Sequence, residues 1–223
     1  MVLPILVQQL IDDVLVKLPS SALDIPAPQQ RRQIYQAIGG WEDIKSCRIR
    51  ARIAILAAEH ALPIYQESYP EDDLPKKLIE GARTFLQNPV ISKEIEELHE
   101  WAYNASGHSW GYDEDELPLS VDYAGQAAAA ALSGTTHGLY FLQDLDSGYG
   151  EQRGTATHII QVEEWTNIRL LDFINACDSA ILAGAAVSFD IETDEFNPKI
   201  WKKYWTWWLT KCIPAAFLAE ERV

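Results

Sequence analysis

The reading of the fold turns on Arg48-Ile49-Arg50-Ala51-Arg52-Ile53-Ala54-Ile55-Leu56-Ala57-Ala58-Glu59-His60-Ala61-Leu62-Pro63-Ile64-Tyr65. Stepped round a helical wheel, Ile49, Ile53, Leu56, His60 and Ile64 share one face. Lys45, Arg48, Arg52 and Glu59 crowd into a narrow sector beside it, while alanines, Ile55, Leu62 and Tyr65 fill most of the rest. A helix apolar on so much of its circumference is covered on most sides, so this one is central, with a single narrow polar stripe. It spans about Asp43 to Tyr69, and Pro63 removes a backbone donor and predicts a kink.

Helices extend outward from it in both directions. Pro4 suits a first turn, and apolar spacing runs from Ile5 to Leu18 before Pro19-Ser20-Ser21 stops it. A second helix starts near Pro28 and ends at Gly39-Gly40. After Tyr69 a turn feeds a helix to about Gln87, capped by Asp72 or Asp73 with Pro75 in its first turn. Ser92 opens an acidic helix that ends near Asn104, and the alanine-dense stretch Ser120 to Leu132 favours another. Five glycines between Gly134 and Gly154 predict a long surface loop, with Thr155 to Val162 able to make a short strand. Helix returns from Gln161 to Val187, and Asn197 starts the last one. The expectation is an all-α, single-domain multi-helix bundle over 1–223, built around a mostly buried central helix and carrying a glycine-rich loop at about 134–154.

Composition bounds the function. The chain has 223 residues, 48% hydrophobic and 23% charged, enough to bury a core without disulfides or metal. Three scattered cysteines, Cys47, Cys177 and Cys212, offer no disulfide framework, and no basic flank or cleavage site opens the chain. A cytoplasmic setting is expected. Eighteen basic against 33 acidic residues give a net charge of −15. The imbalance is concentrated: residues 84–198 hold 3 cations and 20 carboxylates. Such a field repels phosphate backbones and anionic lipid, so neither nucleic acid nor membrane is an expected partner.

Chemistry-bearing motifs are scarce. Glu96 and His99 form one E-x-x-H, but no other histidine has a glutamate three residues before it, so a di-iron site lacks its second half. Neither a phosphate loop, nor H-E-x-x-H, nor G-x-S-x-G occurs. His60 lies mid-face on the apolar side of the central helix and reads as a core histidine. Cys177 and Cys212 read as small core residues, while Cys47 beside Arg48 has no histidine fixed near it to make a nucleophile. No catalytic residue, metal or cofactor is expected.

Two features remain as candidate sites. Trp201, Trp205 and Trp208 recur at i, i+4 and i+7 with Tyr204 and Trp207 beside them, a core stripe or a partner-binding hot spot around Trp207. Asp113-Glu114-Asp115-Glu116 and the run Asp190, Glu192, Asp194, Glu195 both lie between helices and together make one candidate anionic patch. The stripe Lys45, Arg48, Arg52 is read as pairing with Asp72, Asp73 or Glu80, or alternatively as an anion site in a helical enzyme or binding domain.

The segment Arg50 to Tyr65, its continuation Tyr69-Pro70-Glu71-Asp72-Asp73-Leu74-Pro75-Lys76-Lys77-Leu78-Ile79-Glu80-Gly81-Ala82, and the closing Trp205-Thr206-Trp207-Trp208-Leu209-Thr210-Lys211-Cys212-Ile213-Pro214-Ala215-Ala216-Phe217 carry a resemblance. Together they resemble the all-helical immunity-protein family numbered five of bacterial polymorphic-toxin systems. The resemblance implies a cytoplasmic protein that neutralises a cognate toxin by binding it, and supplies no catalytic residues. Many toxins of such systems attack nucleic acid and are basic, so it also implies a basic partner that an acidic surface would suit.

Overall fold

Asp43 starts the central helix as the sequence leads one to expect. Its carboxylate accepts the amides of Lys45 and Ser46, at 3.2 and 3.1 Å, and the Ser46 hydroxyl. Those donors, the Ser46 hydroxyl first, hold its carboxyl below the usual range. The computed structural model describes residues 3–18, 26, 28–40, 43–105, 118–147 and 179–222; side chains at 28–29, 99, 102–105 and 137–147 lie outside that description. Within it the helices are α1 (Ile5–Lys17), α2 (Pro28–Ile38), α3 (Ile44–Ser68), α4 (Leu74–Gln87), α5 (Lys93–Ala105) and α6 (Leu119–Ser147). A helix over 179–188, here α7, is followed by α8 (Pro198–Trp207), a π-helical turn (Trp208–Cys212) and α9 (Ile213–Glu220). Among the described residues the one β pairing is the isolated bridge between Phe189 and Phe196. The fold is all-α.

The central helix is α3. Ile49, Ile53, Ala54, Ala57, Ala58 and Tyr65 are buried on it, and α6 runs against it more extensively than any other element. Fully buried Ala127, Ala128, Ala129 and Ala131 give α6 a surface without long side chains, which lets the two helices approach. α7 joins them where the Ser179 hydroxyl lies 3.0 Å from two carbonyls, Ala54 of α3 and Ala127 of α6. α4 packs on both α3 and α6, and α9 returns along α3. The helix continues through the exposed Pro63.

Helix ends follow the expected chemistry with one exchange of roles. Asp72, not Asp73, supplies the side-chain oxygen at the start of α4, accepting the Leu74 amide at 2.9 Å and the Tyr65 hydroxyl at 2.6 Å. Ser92 accepts the Ile95 amide, and Asn197 accepts those of Lys199 and Ile200. α2 stops at Gly39, whose φ of 141° lies in the left-handed region. A Cβ there would fall on Ser46 Oγ, so no side chain fits.

The structure corrects the expected loop. α6 continues to Ser147, so 134–147 is helix, while 148–154 lies outside the described residues together with Thr155 to Val162. Helix survives the glycines because Leu132, Thr135 and Thr136 are buried there, and the two threonine hydroxyls bond back to the Ala131 and Leu132 carbonyls. Burial outweighs a propensity cost of about 1 kcal/mol per glycine.

Candidate partner-binding surface

The second acidic run forms a tight turn between α7 and α8. Asp190 Oδ1 accepts the amides of Glu192 and Thr193, both at 3.0 Å, and the Thr193 hydroxyl at 3.1 Å. These donors, the Glu192 amide first, hold the Asp190 carboxyl below its usual range, so it stays ionised. The Asp190 amide donates to the Glu195 carbonyl, and the Asn197 amide to that of Ser188, closing the base of the turn. Asp194 adopts a φ of 53° and accepts the Leu119 amide at 2.9 Å, which fastens the turn to the start of α6. Asp190, Glu192, Asp194 and Glu195 are all exposed. The other run, Asp113 to Glu116, lies outside the described residues, although Leu119 follows it by three positions in the chain.

The tryptophan stripe divides in two. Trp201, Trp205 and Trp208 are buried and stack edge to face, with centroids 5.6 and 5.4 Å apart, so they belong to the core. Trp207 is half-buried and stacks on His60 at 3.9 Å. The acidic turn precedes α8 and Trp207 ends it, a separation of about 14 Å along the axis at about 1.5 Å per residue. The structure therefore does not gather the candidate partner residues at one spot. His60 is corrected as well: it lies at the exposed edge between Trp207 and Tyr204 rather than in the core. Partial desolvation of its ring, which lies against those of Trp207 and Tyr204, lowers its pKa.

The arginine stripe finds a partner that sequence reasoning missed. Arg48 Nε lies 3.4 Å from Glu220 Oε2, and Arg52 pairs with the same oxygen. Burial first, then the neighbouring Arg48, lowers the Arg52 pKa. The expected acids are engaged elsewhere: Asp73 with Lys77, Glu80 with Lys76, and Asp72 at the α4 cap. Lys45 is exposed and takes no part in the Glu220 cluster. A 240 Å³ cleft beside Arg52 has Ile55, Leu56 and Ala215 on its wall and the Arg83–Glu59 ion pair at its rim. Burial raises the Glu59 pKa and Arg83 opposes it.

The remaining groups occupy structural positions. Arg50, which the polar stripe does not include, is buried and donates to the Gly39 and Gly40 carbonyls and to Cys47 Sγ. It closes the C-terminal end of α2, where a cation is favoured. Cys212 donates to the Ile53 carbonyl, and burial pushes its thiol and the Tyr204 hydroxyl well above their ordinary pKa values. Cys177 and the His99 side chain lie outside the described residues; Glu96 is exposed. Among the described residues no group of three His, Cys, Asp or Glu is placed to hold a metal ion. None of the helices there is long and apolar enough to cross a membrane.

The surface thus offers a preorganised acidic turn, and the most buried charges close the fold upon itself. No curated protein matches the chain. A family model does: that of immunity protein Imm5 matches residues 18–215, most of the chain and the whole span from the end of α1 into α9. With an all-α fold and a match of that extent, this chain belongs to the Imm5 family of immunity proteins.

Proposed function

We propose that this immunity protein works in the cytoplasm, without catalysis, by covering a basic toxin domain with its acidic surface. The observation that carries the reading is the turn from Asp190 to Glu195, whose carboxylates are exposed and whose backbone is held by its own side chains. A charged surface organised before encounter steers an oppositely charged partner without an ordering cost. Leu119, bound by Asp194, follows Asp113 to Glu116 by three residues, which supports treating the two runs as one patch. A basic toxin would meet there the negative charge that nucleic acid otherwise offers it. Arg48 and Arg52 are read as structural, because one carboxylate already engages both.

The test is a salt series of association rates against the cognate toxin domain. The variant carries Asp113→Asn, Glu114→Gln, Asp115→Asn, Glu116→Gln, Glu192→Gln and Glu195→Gln. Asp190 and Asp194 are retained because their oxygens hold the turn. Association of the wild type slows as salt shrinks the Debye length from about 10 Å at 0.1 M to about 3 Å at 1 M. The variant starts slow and loses little more. A wild-type rate indifferent to salt and equal to that of the variant refutes the acidic surface.

A further inference from the structure

We infer that Leu119, Phe196 and Ile200 form the apolar anchor of the toxin interface, and that the occupant is an apolar projection of the toxin framed by lysine or arginine. This rests on the acidic-surface reading above. The three side chains are exposed to similar degrees, 38%, 41% and 39%. Phe196 and Ile200 flank the start of α8, and Leu119, the first residue of α6, is tied to the same turn. Asp194, two residues before Phe196, bonds the Leu119 amide. One turn along α6 from Leu119, Tyr123 packs on Phe189 at 5.8 Å, and Phe189 packs on Phe196 at 5.5 Å. Phe196 meets Trp201 edge-on at 5.7 Å, and Ile200 is the neighbour of Trp201 on α8.

The anchor is rigid because its rings continue inward. Trp201 leads to Trp205 and Trp208, both fully buried. An exposed ring held by such a series loses little side-chain freedom when covered. Single exposed apolar residues are ordinary, whereas three tied to one ordered turn mark an interaction surface.

The rim decides what covers it. Asp190, Glu192, Asp194 and Glu195, all exposed, lie in the turn that leads into Phe196, against two exposed cations beside Ile200 on α8, Lys199 and Lys203, so the surroundings stay net acidic. That sign turns away phosphate backbones and anionic lipid. A second copy is disfavoured too, since a two-fold contact would set the acidic rim against itself. A basic partner satisfies both rim and anchor.

The probe is the cognate toxin domain carrying an inactivating substitution, and the readout is association and dissociation rates at 0.1 M salt. Ile200→Ser and Leu119→Ser should each raise the dissociation rate about tenfold and leave association within about twofold, as loss of an anchor does. Glu192→Gln with Glu195→Gln should do the reverse, slowing association. Val90→Ser with Ile91→Ser, which removes exposed apolar surface at the α4–α5 connection, should change neither rate. Thermal melts accompany each variant, and should Ile200→Ser melt early, Leu119→Ser decides. Wild-type dissociation rates in folded Ile200→Ser and Leu119→Ser overturn the anchor alone, as does a tenfold loss confined to the Val90 and Ile91 variant. A wild type that does not bind the toxin at all takes down the functional reading with it.

Discussion

Glu220 holds two arginines with one carboxylate oxygen, and both ends of that cluster are largely shielded from water. Removing Arg52 leaves Glu220 with Arg48 alone. Arg52→Ala should therefore lose about 2–3 kcal/mol, toward the low end for a broken buried pair because one partner remains. Glu220→Gln should cost about 3 kcal/mol or more, since it leaves two guanidinium groups facing each other. Denaturant melts check both, and midpoints equal to wild type would return the stripe to a ligand-binding role. His60 makes a prediction in pH. Partial desolvation lowers its folded pKa below the ordinary value, so the unfolded chain binds the proton more tightly. Its contribution is thus present above the unfolded pKa of about 6.5 and is lost as pH falls through the lower folded value. Glu59 and Asp122, with raised pKa values, act in the opposite sense at lower pH. The difference between wild type and His60→Phe isolates the histidine: the variant should show a shallower loss between about pH 7 and 5, read from thermal midpoints.

At the scale of elements, α7 reaches the aromatic helix only because position 184 is glycine. A Cβ there would lie 2.7 and 2.8 Å from the Tyr204 ring and 2.9 Å from that of Trp201. Both rings are buried, so neither can swing away. Gly184→Ala should destabilise by about 1–3 kcal/mol through overpacking, and a midpoint within experimental error of wild type would show that α7 can shift outward. Asn197→Ala, removing the cap of α8, should cost about 1 kcal/mol by the same measurement. The helix starts at Asp43 and Asn197 and the wheel of α3 were legible in the sequence, because they depend on neighbours within one turn. Glu220 was not, since it lies near the opposite end of the chain from its arginines and nothing local distinguishes it from Asp72 or Glu80. Arg50 was missed for a related reason. Its guanidinium lies off the polar stripe and meets the end of α2, and only the packed structure shows where that end lies. The glycines after Leu132 misled because propensity is local, while the burial that keeps α6 helical is tertiary. The acidic turn was legible as charge, and Phe196 and Ile200 follow it directly in the chain, but Leu119 comes from a separate segment and only the fold ties it to the turn.

At the scale of the whole molecule, a net charge of −15 with 20 carboxylates against 3 cations over residues 84–198 is a self-repelling arrangement. Repulsion among like charges weakens the compact state, so the isolated protein carries a small stability cost for its surface. Glu192 and Glu195 test the trade directly, because both are exposed and, unlike Asp190 and Asp194, their side chains do not hold the turn. Changing both to Gln should leave the fold intact and raise the thermal midpoint slightly, by about 1–2 °C, in keeping with surface changes of roughly 0.5 kcal/mol. Added salt should raise the wild-type midpoint more than that of the variant, since screening and neutralisation relieve the same repulsion. The same variant should associate more slowly with the toxin. Stability and association then move in opposite directions from one pair of substitutions. A structural role for these glutamates predicts the contrary pattern, a lower midpoint with an unchanged association rate. Measuring both quantities on one preparation separates these two accounts and a third as well, since solvated carboxylates that only keep the chain soluble would leave association untouched while still raising the midpoint.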